Sequence, residues 1–139
     1  QGYTDDGRQT LIGFGASSIS RFRDGYVQNV SDMPRYVRAI ADGRLAAWRG
    51  CRLDAAEKQR ARTIECLMCA FKADLDVTAP DMEFAEELSL LQPLVDDGLV
   101  CVEGRVVMAT DAGRQVVRVI AAVFDSHMRD DAARFSKAV

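Results

Sequence analysis

The chain has 139 residues, 48% of them hydrophobic and 28% charged, with a formal net charge of −3. That balance supports one sizeable core with a small appendage and excludes a disordered or fibrous chain. It gives no global attraction to nucleic acid or anionic lipid, and no apolar run reaches the ~18 residues of a membrane-spanning helix.

The opening Gln1-Gly2-Tyr3-Thr4 has no helix start and leads through a polar stretch into a glycine-spaced apolar run. This start predicts a segment cut from a longer protein, its chemistry completed by residues elsewhere. The Leu11–Ile19 run alternates small with bulky residues, which predicts a buried strand passing into a loop. Ser31 or Asp32 is placed to cap a helix with Pro34 in its first turn, carrying Tyr36, Val37 and Ile40 inward and stopping at Gly43.

From residue 54 onward the pattern is helical. Asp54 is expected to cap a helix that buries Ile64, Leu67, Met68 and Phe71. A second helix is predicted from about Met82, with Phe84, Leu88, Leu91 and Val95 on one stripe, ending at Asp97-Gly98. Two short apolar runs flank Glu103-Gly104 as a two-residue hairpin connection. Thr110 then caps a long last helix bearing Val116, Val119, Ile120, Val123 and Phe124. Helix, helix, hairpin, helix resembles a winged-helix module. The fold class expected is therefore mostly α with a small β-hairpin (α+β).

Few motifs carry chemistry by themselves. Gly13-Phe14-Gly15 lets backbone approach a ligand, but a dinucleotide fingerprint needs a third glycine and an immediate helix start. Cys66 and Cys69 have metal-like spacing, yet they fall mid-helix without the converging ligands that zinc or an iron–sulfur cluster needs. They read as structural thiols, and all four cysteines as reduced thiols of a cytoplasmic protein. His127 continues the stripe of the last helix in a packing or solvent-bridging role. Arg49, Arg52, Arg60 and Arg62 gather near the junction of the two regions, where a guanidinium fork suits carboxylates. The plainer reading makes Arg60 and Arg62 solvated helix residues. A winged helix invites a DNA-binding reading, but Asp81, Glu83, Glu86 and Glu87 oppose the basic footprint that duplex binding requires.

Taken in order, several stretches carry a resemblance: Gln1-Gly2-Tyr3-Thr4, residues 13–20, Tyr26-Val27-Gln28-Asn29, Trp48-Arg49-Gly50, residues 64–71, residues 91–100, and the closing Phe135-Ser136. Together they resemble the C-terminal part of the bacterial oxygen-independent coproporphyrinogen III oxidases (dehydrogenases), radical S-adenosylmethionine enzymes of haem synthesis. The resemblance implies an incomplete α/β barrel holding a [4Fe–4S] cluster on a Cys-x3-Cys-x2-Cys loop. It also implies cleavage of S-adenosylmethionine and loss of CO2 from propionate side chains of coproporphyrinogen III, which become vinyl groups. Gln1 and Ile19 match family positions at the adenosylmethionine sites, with Gly13 and Gly15 on the same run letting backbone come close. Arg49 and Arg60 are the candidates for substrate contact. Ala70 replaces the family's usual Asn, and the cluster motif is missing, so neither a catalytic residue nor a metal ligand is expected here.

On this reading residues 1–50 are the last strand and helix of the barrel plus a linker, and residues 51–139 a helical, winged-helix-like domain covering the barrel's open end. The segment alone is expected to be inactive and to hold no cofactor. Its partners are the missing N-terminal barrel and, in the intact enzyme, coproporphyrinogen III; neither nucleic acid nor membrane is expected. An apolar face stripped of its barrel would favour self-association. The alternatives are a segment of a radical-SAM-related haem chaperone and a winged-helix interaction or nucleic-acid-binding module.

Overall fold

The computed structural model describes residue 8 and residues 10–127. Gln1, the rest of the opening motif and Phe135-Ser136 lie outside the described residues. The described residues divide into two compact units, one running to Asp54 and the other from Ala55.

In the first unit, strands β1 (Ile19–Phe22), β2 (Gly25–Asn29) and β3 (Ala47–Arg52) make an antiparallel sheet in the order β1-β2-β3, with helix α1 (Met33–Ala41) between β2 and β3. Phe22 pairs with Gly25, leaving Arg23-Asp24 as the turn. Gly25 lies so close to the Cys51 carbonyl of β3 that any side chain there would collide with it. Asp32 caps α1, its carboxylate accepting from the Arg35 amide at 2.9 Å.

Here two expectations are corrected. The Leu11–Ile19 run is not a buried strand: Leu11 makes one isolated bridge to Arg21, residues 13–18 form a loop, and Leu11, Ile12 and Phe14 are exposed. Satisfying its amides through side chains, as described below, replaces the ladder that a strand would need. Along α1, Val37 and Ile40 point outward, and Ala39 and half-buried Tyr36 pack inward with Val30 and Ala46. Periodicity locates the widest apolar stripe, Met33, Val37 and Ile40. Val30 and Ala46, the residues flanking β2 and β3, meet the helix roughly a quarter-turn away from that stripe.

The second unit is built on α2 (Ala55–Ala70), β4 (Lys72–Asp74), a one-turn α3 (Leu75–Thr78), α4 (Ala85–Asp96), the hairpin β5 (Val100–Glu103) and β6 (Val106–Ala109), a 3₁₀ turn (Gly113–Val116) and α5 (Val117–Ala122). Its sheet is antiparallel in the order β4-β6-β5. Leu67, Leu75, Leu91, Val107, Ile120, Phe84 and Phe124 are sealed in the core, the last two ring edge to ring face at 5.5 Å.

The architecture is thus mixed α/β, with six strands in two sheets among the described residues, rather than mostly α with one hairpin. The strands that periodicity overlooks, β1 to β4, are three to six residues long, and three of the four lie at a sheet edge. Glu103 pairs with Val106, so the hairpin turn is Gly104-Arg105, one residue later than expected. Gly104 takes φ of +60°, the left-handed state such a turn demands. Among the described residues α5, where a long helix was expected, is six residues and follows the 3₁₀ turn. Thr110 caps the entry, its Oγ accepting from the Gly113 amide at 3.1 Å, and Asp125 starts a separate turn by accepting from the His127 amide at 3.0 Å.

Candidate functional site

The sequence-selected residues of the first unit converge on the loop 13–18 and the sheet row beside it. Gly15 has φ of +104° and Ser17 φ of 58°, so the loop holds two left-handed residues in three. The one at Ser17 carries a side chain and costs on the order of 1–2 kcal/mol. What stabilises this conformation is a set of side chains aimed at the loop backbone. The Gly13 amide donates to Ser20 Oγ at 3.1 Å and the Gly15 amide to the Tyr36 hydroxyl at 3.0 Å. Asn29 spends both hydrogens of one amide nitrogen, on the Gly13 carbonyl at 3.3 Å and the Gly15 carbonyl at 3.0 Å. Ser18 Oγ donates to the Phe14 carbonyl at 2.6 Å.

Each glycine therefore has a local reason. A Cβ on Gly13 would stand 2.8 Å from the Ile19 carbonyl oxygen and 2.9 Å from Ser18 Cβ, closer than real contacts allow. The amides of Gly13 and Gly15 have acceptors within the chain, so these two glycines fix the loop rather than present N–H groups to a ligand. Asn29, Tyr36 and Ser20 are the residues that sequence reasoning missed. The only signal for Asn29 was a side chain with two donors closing a strand, next to a glycine-spaced loop. Asn29→Ala removes both carbonyl partners at once, and we expect the first unit to lose about 1–3 kcal/mol, read from urea unfolding followed by Trp48 fluorescence.

Ile19 is half-buried and pairs with Gln28, which pairs in turn with Arg49. Directly opposed residues share a face, so Ile19, Gln28 and Arg49 form one row across the sheet. Arg49 is exposed, and its Nε donates to Gln28 Oε1 at 2.8 Å. Gln28 Nε2 donates to the Ser17 carbonyl at 3.2 Å, which ties the row to the loop. A shallow concavity of about 390 Å³ lies at the other end of the sheet, lined by Phe22, Tyr26, Cys51 and Arg52; Arg52 is thus apart from Gly13, Gly15, Ile19 and Arg49, which do not line it.

Arg60 belongs to the second unit, on α2. Its guanidinium donates to Glu87 Oε1 at 2.7 Å and to the Phe124 carbonyl at 3.3 Å, and it stacks over the Phe84 ring at 5.4 Å. With 19% of its side chain exposed, it is neither a solvated helix residue nor a free fork. His127 bridges to Glu57 at 3.0 Å.

All four cysteines are free thiols: Cys51 is exposed and the other three half-buried. Burial, with a smaller push from the Glu65 charge, holds the Cys66 thiol above its ordinary pKa. At pH 8 iodoacetamide should therefore label Cys51 well before Cys66, because only the thiolate attacks and Cys66 carries less of it. Peptide mapping over time checks the order. Among the described residues no three His, Cys, Asp or Glu side chains gather as a metal site, and no helix is long and apolar enough to cross a membrane.

No protein-family model matches the chain. It is 39% identical over 145 residues to an oxygen-independent coproporphyrinogen III oxidase of Cereibacter sphaeroides, and 41% identical over 145 residues to one from Bradyrhizobium diazoefficiens. The Escherichia coli oxidase of that name is 36% identical over 148 residues. These alignments take in 99% or 100% of this chain but 31% or 32% of the relatives, so the chain spans about a third of the length of the curated relatives it matches. Its fold is similar, with a TM-score of 0.80 at 35% identity, to a solved structure described as coproporphyrinogen III oxidase (HemN) from Escherichia coli, a radical SAM enzyme. That likeness covers 91% of this chain and 30% of the solved one.

Proposed function

We propose that this chain, homologous along its whole length to about a third of the oxygen-independent coproporphyrinogen III oxidases, works as the C-terminal segment of such an enzyme. The observation that carries the reading is the identity running through the entire chain, sheet and helical unit alike, together with a fold match at 35% identity. The intact enzyme would oxidatively decarboxylate coproporphyrinogen III to protoporphyrinogen IX. Adenosylmethionine and a [4Fe–4S] cluster, when bound there, supply the one-electron chemistry that begins the loss of CO2 from the propionates.

The described residues do not fit the cluster, since no three ligand side chains converge. They do fit a contact with adenosylmethionine. Ile19 offers a half-buried apolar edge at the foot of a loop whose backbone is locked from within. Gly13 and Gly15 act by holding that edge in place, and Gln1 would join it from outside the described residues. Of the two substrate candidates, Arg49 is the one exposed for a carboxylate, whereas Arg60 is committed to Glu87. The first unit then stands at the edge of the barrel, and the second, with its helix-strand-helix-helix-hairpin-helix order, serves as a winged-helix-like cover that excludes water.

Neither the haem-chaperone nor the nucleic-acid alternative is favoured, because the relatives across the whole chain carry the oxidase name. The 139-residue chain by itself should show no bound iron, no adenosylmethionine cleavage and no CO2 release. Turnover by the isolated chain would overturn the assignment of that chemistry to the missing portion.

A further inference from the structure

We infer that Gln28 is a positioning residue that aims the Arg49 guanidinium at a ligand carboxylate. The inference deepens the functional reading above and rests on it for the identity of the ligands. Three observations meet at this amide. Its Oε1 accepts from Arg49 Nε at 2.8 Å, and its Nε2 donates to the Ser17 carbonyl at 3.2 Å, so both ends are fixed. Ser17 itself sits at φ of 58°, a strained turn whose place depends on such ties. Among the described residues no hydrogen bond or ion pair engages the Nη atoms of Arg49, although its side chain is held through Nε.

A guanidinium has five N–H donors in one plane. Pinning Nε sets the orientation of that plane and leaves the paired Nη edge to meet a carboxylate through two parallel hydrogen bonds. A neutral amide is suited to this task. It orients the fork without cancelling its charge, whereas a carboxylate at the same place would bind Arg49 and neutralise it. The same row carries Ile19, so a ligand laid along the apolar edge would present its carboxylate to Arg49 from the same face of the sheet. Two ligands of the proposed reaction bear that group: the amino-acid end of adenosylmethionine and a propionate of coproporphyrinogen III.

The test uses a full-length enzyme carrying this segment, with Gln28→Leu, Gln28→Glu and Arg49→Ala compared with the unsubstituted protein. Adenosylmethionine and 5′-methylthioadenosine, which lacks the carboxylate, are titrated by equilibrium binding, and KM and kcat are measured for coproporphyrinogen III. All three variants are expected to lose about tenfold or more in affinity for one carboxylate ligand, with kcat at saturation changed much less. If adenosylmethionine weakens and 5′-methylthioadenosine does not, the carboxylate is that of adenosylmethionine. If only the KM for coproporphyrinogen III rises, it is a propionate.

Gln28→Glu keeps the acceptor for Arg49 Nε but loses the donor to the Ser17 carbonyl, so a merely structural Gln28 would show as lost stability with ligand affinities unchanged. Wild-type affinities in Gln28→Glu, or unchanged affinities in Arg49→Ala, would overturn the inference. Should the unsubstituted enzyme release no CO2, the functional reading fails instead, and the adenosylmethionine titration still reads the Gln28–Arg49 pair on its own.

Discussion

Glu87→Ala should destabilise the second unit by about 3 kcal/mol, the lower end of the 3–5 kcal/mol seen when one partner of a buried ion pair is removed. Glu87 is 3% exposed, on the core side of α4. Its carboxylate takes the Arg60 guanidinium at 2.7 Å. Without it, a cation stays pressed against the Phe84 ring and the Phe124 carbonyl, which offer far less than a full counter-charge. The lower end applies because 19% of the Arg60 side chain still meets water. Glu87→Gln, which keeps one acceptor, should lose clearly less. The shift in urea midpoint, followed by far-ultraviolet circular dichroism, measures both.

The second large effect belongs to Gly13. Its missing Cβ would lie 2.8 Å from the Ile19 carbonyl, and neither backbone can give way without moving the loop. Gly13→Ala should therefore cost about 1–3 kcal/mol by overpacking. In a full-length enzyme it should also weaken adenosylmethionine binding by about tenfold or more, since displacement by ~1 Å is enough to spoil a positioned contact. Gly43→Ala is the matched control. Gly43 has φ of +69° with open space around it, so that change carries only the left-handed cost, about 1–2 kcal/mol, and leaves binding intact. Urea unfolding and equilibrium titration of the two variants separate crowding at the loop from backbone strain in general.

These residues also show where the sequence was legible. Asp32, Thr110, Gly98 and the apolar stripes of α2 and α4 follow local rules of capping and period, and the structure has them where those rules put them. The end of α2 does not follow them: Phe71, not a glycine, takes the left-handed position at φ of 58°, so no sequence signal marks the stop. It passes directly into β4 and α3, elements too short for any periodicity to reveal. In sequence Glu87 is one more acid opposing a basic footprint, and Arg60 a solvated helix residue or a fork for a carboxylate. Only the long-range pairing of α2 with α4, 27 residues apart, makes them a buried couple.

The candidate site divides in the same way. Gly13, Gly15 and Ile19 were selected by resemblance, and the structure brings them together with Arg49 through Gln28. Why the glycines are needed was not legible, because the partners that lock the loop, Asn29 and Tyr36, lie 14 and 21 residues from Gly15. The loop is braced from its own strands and helix, through contacts that no local signal announces.

On the proposed function, this chain supplies a working third of a coproporphyrinogen III oxidase. The direct measurement replaces the matching segment of the Escherichia coli relative with this chain and follows CO2 release from coproporphyrinogen III without oxygen. We predict that the hybrid, once loaded with its cluster, releases CO2 and forms protoporphyrinogen IX. A folded, cluster-loaded hybrid that cleaves adenosylmethionine yet releases no CO2 would contradict the account.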